Sequence, residues 1–320
     1  MARKKGRPSA PLPPRDGLGA SRVRVPEGPG IRALDFLWHV VSTQRHRHPE
    51  DDLSAVKQRF DDSLVVLRDA TPVLADDWLA PGTDIFFYRR PAPEKPVPYS
   101  ITTVYEDDDI LVVDKPPFLA TMPRASHITE TATVRLRRST GNEELTPAHR
   151  LDRGTSGLLL LTKHRDVRGA YQDLFARREV DKVYEAIAPF TRLRLPAIWE
   201  HHLAKEHGDP AGNVVPDLEP NSRTVVSSVS RLSPDEEDSL VSLYEVGGPL
   251  GRYVLHPVTG RTHQLRLQMM AEAAPILGDT IYPNLLPAVA EDFSLPMRLR
   301  CTGLAFTDPL SGQSRSFSLV

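Results

Sequence analysis

One cysteine, Cys301, is all this 320-residue chain contains. A disulfide framework and a thiolate-rich metal centre are therefore both excluded, which fits a reducing compartment and makes the cytoplasm the expected location. No apolar run approaches the ~18 residues of a membrane span, the longest being the short stretch GLLLL, so no membrane partner is expected. The opening MARKKGRPSAPLPPRDG carries charge with no apolar segment behind it and does not read as a secretory signal. His149 and His263 lack a third ligand at metal-site spacing, and no H-x-x-x-H pair occurs, so structural or hydrogen-bonding roles are expected of them and no metal. GTSGLLLLTK has no Gly-Lys-Ser/Thr ending to grip a phosphate and magnesium, and no G-x-S-x-G elbow exists for a hydrolase serine.

What is present is enough apolar residue, 40%, to bury a real core, and a charge distribution more telling than its total. The formal net charge is -2. Residues 1–25 nevertheless hold seven basic side chains and one acid, and Arg135 to Lys182 hold eleven against seven. Acid is gathered elsewhere, in EDDD from Glu106 to Asp109 and DEED from Asp235 to Asp238. Such segregation permits a local polyanion-binding surface on a near-neutral molecule, although solvated charge clusters without partners are at least as common.

Residues 1–30 are rich in Pro, Gly and basic residues and are expected to be disordered. Residues 31–96 read as a small N-terminal module, with helical spacing at Ile31, Leu34, Leu37, Val40 and Val41, then short strands such as SLVVLR, then the proline-rich linker RRPAPEKPVPYS. Residues 97–320 form the main domain. Strands are expected at ILVVDKP, GLLLLTK, KVYEAIA, RTVVSSVSRL, SLVSLYEV, GRYVLHPV and RLRCTGLAFTD, and helices at SHITETATVRLRRST and HRDVRGAYQDLFARRE. Strands outnumber helices without strict βαβ alternation, so the fold class is α+β, around a mixed, largely antiparallel sheet flanked by helices.

Three stretches carry candidate chemistry. In PAHRLDRGTSGLLLLTK, Gly154 and Gly157 allow backbone geometry that a Cβ would obstruct, and Thr155 and Ser156 can satisfy turn amides, which would fix Asp152 at the start of a buried strand. In RREVDKVYEAIA, Tyr184 begins an apolar strand. In HPVTGRTHQLRLQMM, Arg261 stands where a turn enters a helix and Arg266 lies more than one turn along. Singly, each has a plainer reading: a turn-forming aspartate, a core aromatic with a wet hydroxyl, a charge on a helix surface.

Together, these stretches resemble the pseudouridine synthases, specifically the branch typified by large-subunit ribosomal RNA enzymes with the signature H-R-L-D-x-x-T-S-G-L. It stands here complete, from His149 to Leu158. VYEDDDILVVDKPPFLATMP precedes it, and REVDKVYEAIA, HPVTGRTHQLRLQMM and PILGDTIYP follow in family order, so the resemblance covers residues 97–320. It implies that Asp152 is the essential carboxylate that starts the cleavage between uracil and ribose, by attack on the sugar or by abstraction of a sugar proton. It further implies that Arg266 pairs with that aspartate and that Tyr184 packs on the target base and assists proton removal from ring carbon 5. Arg150 matches an arginine reaching into the RNA where the uridine has been flipped out. Arg153, Lys115, Arg261 and His263 join it as RNA-binding candidates, Lys115 being structural or phosphate-facing rather than catalytic. A guanidinium beside a carboxylate favours its ionised form, and an aromatic face recognises an unstacked base. The leucines after Gly157 would supply a dry wall that keeps water from the detached uracil.

The implied reaction is an isomerisation that needs no cofactor and no metal. The implied partner is RNA, ribosomal rather than transfer RNA, met by a monomer. Residues 31–95 resemble a degenerate form of the RNA-binding module named after a small-subunit ribosomal protein. Two other readings stay open: a noncatalytic RNA-binding or ribosome-assembly factor on the same scaffold, and a glycosidase-like enzyme, for which no second positioned carboxylate stands out.

Overall fold

The computed structural model describes residues 11–206, 208–286 and 291–319. The chain divides into two compact units, one running to Pro96 and taking in Met122–Glu143, the other comprising Val97–Thr121 and Glu144 onward. Met122–Glu143, assigned from the sequence to the main domain, thus groups with the N-terminal unit.

The first unit contains strand β1 (Ser21–Arg24), β2 (Ile31–Arg32), helices α1 (Ala33–Ser42) and α2 (Leu53–Asp61), and strands β3 (Val65–Val66), β4 (Trp78–Leu79) and β5 (Asp84–Phe87). The inserted segment adds α3 (Ala132–Thr140), capped by the Thr131 side chain and ended by a left-handed Gly141. Leu34, Leu37 and Val41 turn one face of α1 into a core with Val56, Phe60, Ile85 and Phe87. The expected disorder does not extend over residues 11–30, since β1 pairs antiparallel with β5, and residues 1–10 lie outside the described residues. The reason is electrostatic as well as hydrogen-bonded. Arg22, Arg24 and Arg68 converge on the nearly buried carboxylate of Asp84 at 2.7, 3.0 and 2.8 Å, and these bonds, those of Arg24 first, hold its pKa far below the usual carboxylate range.

The second unit contains β6 (Thr102–Glu106), β7 (Ile110–Lys115), β8 (Thr146–Pro147), β9 (Ser156–Thr162), α4 (Arg165–Arg177), β10 (Val180–Pro189), β11 (Ala197–Ala204), β12 (Asn213–Val215), β13 (Ser222–Arg231), α5 (Pro234–Tyr244), β14 (Leu250–Pro257), α6 (Gln264–Ala271), β15 (Leu299–Thr307) and β16 (Ser314–Ser318). The strands make one eleven-stranded sheet in the order β12-β11-β13-β14-β10-β15-β9-β7-β6, with β16 on β15 and β8 on β9. β9 and β15 run parallel, while the other pairings, such as β10 with β14 and β7 with β9, are antiparallel. This is the expected α+β fold with a mixed, largely antiparallel sheet.

Leu158 to Leu161 are fully buried. They make β9 a strand covered on both faces, which is why its sequence is a continuous apolar run rather than an alternation. Gly157 opens this strand at φ 107°, and a Cβ there would lie 2.2 Å from the carbonyl oxygen of Cys301. Gly157→Ala should therefore cost roughly 2–4 kcal/mol through backbone strain and overpacking. A thermal melt checks this, and an unchanged melting temperature would show that β15 can yield there.

One expected strand is a helix. SLVSLYEV falls in α5, where the start signals outweigh the β-branched residues. Ser233 caps the first turn, Pro234 occupies it, and Asp235, Glu236 and Glu237 complement the helix dipole. Leu240, Val241 and Tyr244 then fall on one face against Ile187, Leu250 and Leu277.

Candidate active site

Asp152 sits in the turn between β8 and β9. Thr155 N–H donates to the Asp152 carbonyl at 3.1 Å. Just before it, the Thr121 hydroxyl donates to the Leu151 carbonyl at 2.8 Å and accepts from the Leu151 amide at 3.1 Å. The backbone is thus pinned on both sides, while the Asp152 side chain stays 29% exposed.

Arg266 projects from α6, a helix buried from Gln264 through Met269. Polar side chains are tolerated there because each is satisfied. Gln264 accepts from Thr259 at 2.6 Å and donates to Thr224 Oγ1 at 2.9 Å, and Gln268 donates to the Trp199 carbonyl at 3.0 Å. Arg266 is itself nearly buried. Its Nη1 lies 3.6 Å from Asp152 Oδ2, while its Nε and Nη2 donate to the two oxygens of Asp279 at 2.7 and 2.6 Å. Asp279 Oδ1 also accepts the amides of Ile281 and Tyr282 at 2.8 and 3.1 Å. Burial works against the guanidinium charge, but the Asp279 bonds and the two carboxylates outweigh it and raise the pKa above the ordinary arginine value. Asp152 therefore faces a permanent cation held in place by a second carboxylate. Around this pair opens a pocket of about 200 Å³, with Phe118, Ile281 and Met297 as its apolar wall and His263 beside Arg266. The leucines of β9, expected as a dry wall at the site, do not line this pocket and are buried in the sheet core instead.

Tyr184 stands on β10 opposite Cys301 of β15, and Cys301 in turn pairs with Gly157 of β9. The ring packs against the cluster containing Leu265, Met269 and Met297. Burial, then the Cys301 thiol hydrogen bond and the Asp152 charge, raise its pKa well above the ordinary phenol value, so the hydroxyl is neutral at physiological pH. Burial likewise pushes the Cys301 thiol up to about 12.

The RNA-binding candidates divide sharply. Arg150 is exposed two residues before Asp152. Arg261 is exposed and donates through Nε to the Asn221 carbonyl at 3.2 Å. Arg153 is engaged by Glu291 in a two-pronged ion pair. His263 takes a left-handed cap position at the start of α6, its Nδ1 2.9 Å from the Tyr282 hydroxyl, and burial lowers its pKa to about 4. Lys115, counted among the RNA-binding candidates as structural or phosphate-facing, is structural. It is fully buried, and its Nζ donates to the carbonyls of Pro116 and Leu119 at 2.8 Å each and of Arg153 at 3.4 Å. With no exposed surface it cannot meet a phosphate, and it holds the turn next to Asp152 instead. Thr121, Asp279 and Tyr282 hold the site without any local pattern that marks them, although Asp279 and Tyr282 lie in the GDTIYP segment.

His149 stacks on Phe175 at 4.3 Å, and its Nε2 accepts the Leu160 amide at 3.1 Å. Burial lowers its pKa to about 3. The folded state thus refuses a proton that the unfolded chain accepts below about 6.5, so this stability is present above pH 6.5 and is lost as pH falls toward 3. Melts between pH 7 and 4.5 should show a falling midpoint, with a smaller fall in His149→Gln. Equal falls in both proteins would contradict the assignment.

Comparison with known proteins shows the family. The profile of the RNA pseudouridylate synthase family matches residues 109–271. A protein of Pasteurella multocida named dual-specificity RNA pseudouridine synthase RluA is 32% identical over 229 residues, covering 69% of this chain and 93% of its own. Its namesake in Haemophilus influenzae is 31% identical over 222 residues, with the same coverages. Human RNA Pseudouridylate Synthase Domain Containing 1 superposes with a TM-score of 0.54 at 23% identity over 69% of this chain and 83% of its own, a likeness of fold. The chain belongs to the RNA pseudouridine synthases, a family of isomerases.

Proposed function

We propose that this chain isomerises uridine to pseudouridine in structured RNA, with Asp152 as the catalytic carboxylate. The observation that carries the reading is the Asp152–Arg266 pair, 3.6 Å apart at a small half-apolar pocket. In the reaction the bond from ribose carbon 1′ to uracil nitrogen 1 breaks, the base turns, and carbon 5 joins carbon 1′. The carbon 5 proton is lost and nitrogen 1 gains one, so nothing is oxidised or reduced. Asp152 acts on the sugar, as nucleophile or as base. Arg266 keeps a positive charge against the carboxylate throughout, in a site where low dielectric strengthens the interaction. Phe118, Ile281 and Met297 exclude water from the detached base. Tyr184 packs on the uracil as a neutral phenol, so its part in removing the carbon 5 proton runs through hydrogen bonding rather than through a standing phenolate. Arg150 reaches into the RNA where the uridine has been flipped out, and Arg261 meets an RNA phosphate.

The substrate in this reading is ribosomal RNA, acted on by a cytoplasmic monomer. None of the helices among the described residues is long and apolar enough to cross a membrane. The segregated basic stretches support a polyanionic partner, and the unit preceding the synthase domain serves as an RNA-binding module. Recombinant protein incubated separately with unmodified ribosomal and transfer RNA, followed by nucleoside mass spectrometry, tests this. Pseudouridine should accumulate in ribosomal RNA. Accumulation only in transfer RNA would overturn the substrate, and none in either would overturn the activity.

A further inference from the structure

A second basic site lies within the N-terminal unit. A cleft of about 870 Å³ is walled by the chain before β1, the turn after α1, the chain after β5 and the inserted Met122–Glu143 segment. Arg15, Arg45, Arg89 and Arg138 line it and are all exposed. Among the described residues none of the four has a carboxylate within ion-pair distance. By contrast, Arg59 and Arg90 on the same wall are paired with Asp51 and Glu50. Of the acids on the wall, Glu94 is taken up by the amides of Ile128, Thr129 and Glu130 at 3.0, 2.7 and 3.2 Å. That leaves the Asp16 carboxylate against four guanidinium groups, of which Arg138 also donates through Nε to the Asp16 carbonyl at 2.8 Å. The Arg15 guanidinium stands 4.3 Å from the centre of the Tyr88 ring, an arginine–aromatic platform of the kind on which unpaired bases stack. On the same wall, Gln44 Nε2 is buried and has no acceptor among the described residues.

We propose that this cleft binds a single-stranded RNA segment through its phosphates, independently of the Asp152 site. It rests on the proposed function for RNA as the partner of the N-terminal unit, and assigns that binding to particular residues. Unpaired guanidinium groups repel one another, and their forks match phosphate oxygens in pairs. An acidic protein segment would satisfy the charge but leave the platform unused. RNA supplies both charge and bases.

The test is fluorescence anisotropy of the full-length protein with a labelled short oligoadenylate, which contains no uridine and reports nothing on catalysis. The comparison is wild type against Arg45→Gln/Arg89→Gln over a salt titration. Affinity should fall about tenfold near physiological salt, and the slope of log K against log salt should shrink by about 1.4, roughly 0.7 for each lost contact. Arg45→Lys/Arg89→Lys should recover most of that slope, which separates charge from any change in folding. Asp152→Asn should bind like wild type, so failure of the synthase reading leaves this result standing. Unchanged affinity and slope in the glutamine pair would overturn the proposal. So would displacement of the oligonucleotide by polyglutamate at equal charge concentration, which would assign the cleft to an acidic protein.

Discussion

Asp152→Asn should fold, bind RNA and form no pseudouridine. Asparagine preserves the shape, the 2.8 Å bond from Thr121 to the Leu151 carbonyl is untouched, and the turn closes through the backbone of residue 152 rather than its side chain. What disappears is the negative charge 3.6 Å from Arg266. Because Arg266 retains both bonds to Asp279, no buried cation is stranded, and the stability change should stay within about 1 kcal/mol. Activity should fall by at least about 10²–10⁴-fold, the usual contribution of a positioned acid–base group, and further if Asp152 is a nucleophile. Anisotropy, a thermal melt and nucleoside mass spectrometry on one preparation separate the three claims. Equal product from mutant and wild type would remove Asp152 from the chemistry. Activity in the wild type alone would exclude a noncatalytic factor.

Asp279→Ala should be far more damaging to the fold. It removes both oxygens from a guanidinium that is nearly buried, along with the acceptor for the amides of Ile281 and Tyr282. Losing one partner of a buried pair costs about 3–5 kcal/mol, because the other charge loses its closest compensation, here leaving Arg266 only the 3.6 Å contact to Asp152. For a unit of this size that corresponds to a melting temperature lowered by roughly 10 °C. Arg266 would then turn toward Asp152, its remaining carboxylate, which moves the group Asp152 faces. The rate constant should fall even at saturating RNA. A melting temperature within about 2 °C of wild type would contradict the idea that Asp279 holds Arg266, and Asp279→Asn, which keeps the amide acceptor, should lie between the two.

How much of this was legible in the sequence depended on whether a residue's role was written locally. β9 could be read from its leucine run, and the need for Gly157 from a strand beginning directly after a turn. The partner that makes Gly157 necessary is Cys301, 144 positions away, and no local pattern announces it. Asp152 and Arg266 were found as parts of compact motifs, whereas Asp279 acts through a bond closed by the fold. For Lys115 the sequence leaves a structural and a phosphate-facing role open, because nothing local decides between them. Only the surrounding carbonyls of Pro116, Leu119 and Arg153 show where its ammonium goes. The α5 region failed for the opposite reason: its apolar residues suit either period, and the Ser-Pro-Asp-Glu-Glu start decides for the helix. In the N-terminal unit, composition suggested disorder where Asp84 gathers three arginines and orders the chain.

The most direct measurement of the central claim is a pseudouridine map of cellular RNA in three strains: the gene deleted, restored as wild type, and restored as Asp152→Asn at equal protein level. Sites lost on deletion should return with the wild type and stay absent with the mutant, and they should lie in ribosomal RNA. Return of those sites with Asp152→Asn would contradict the assignment of the chemistry to this carboxylate.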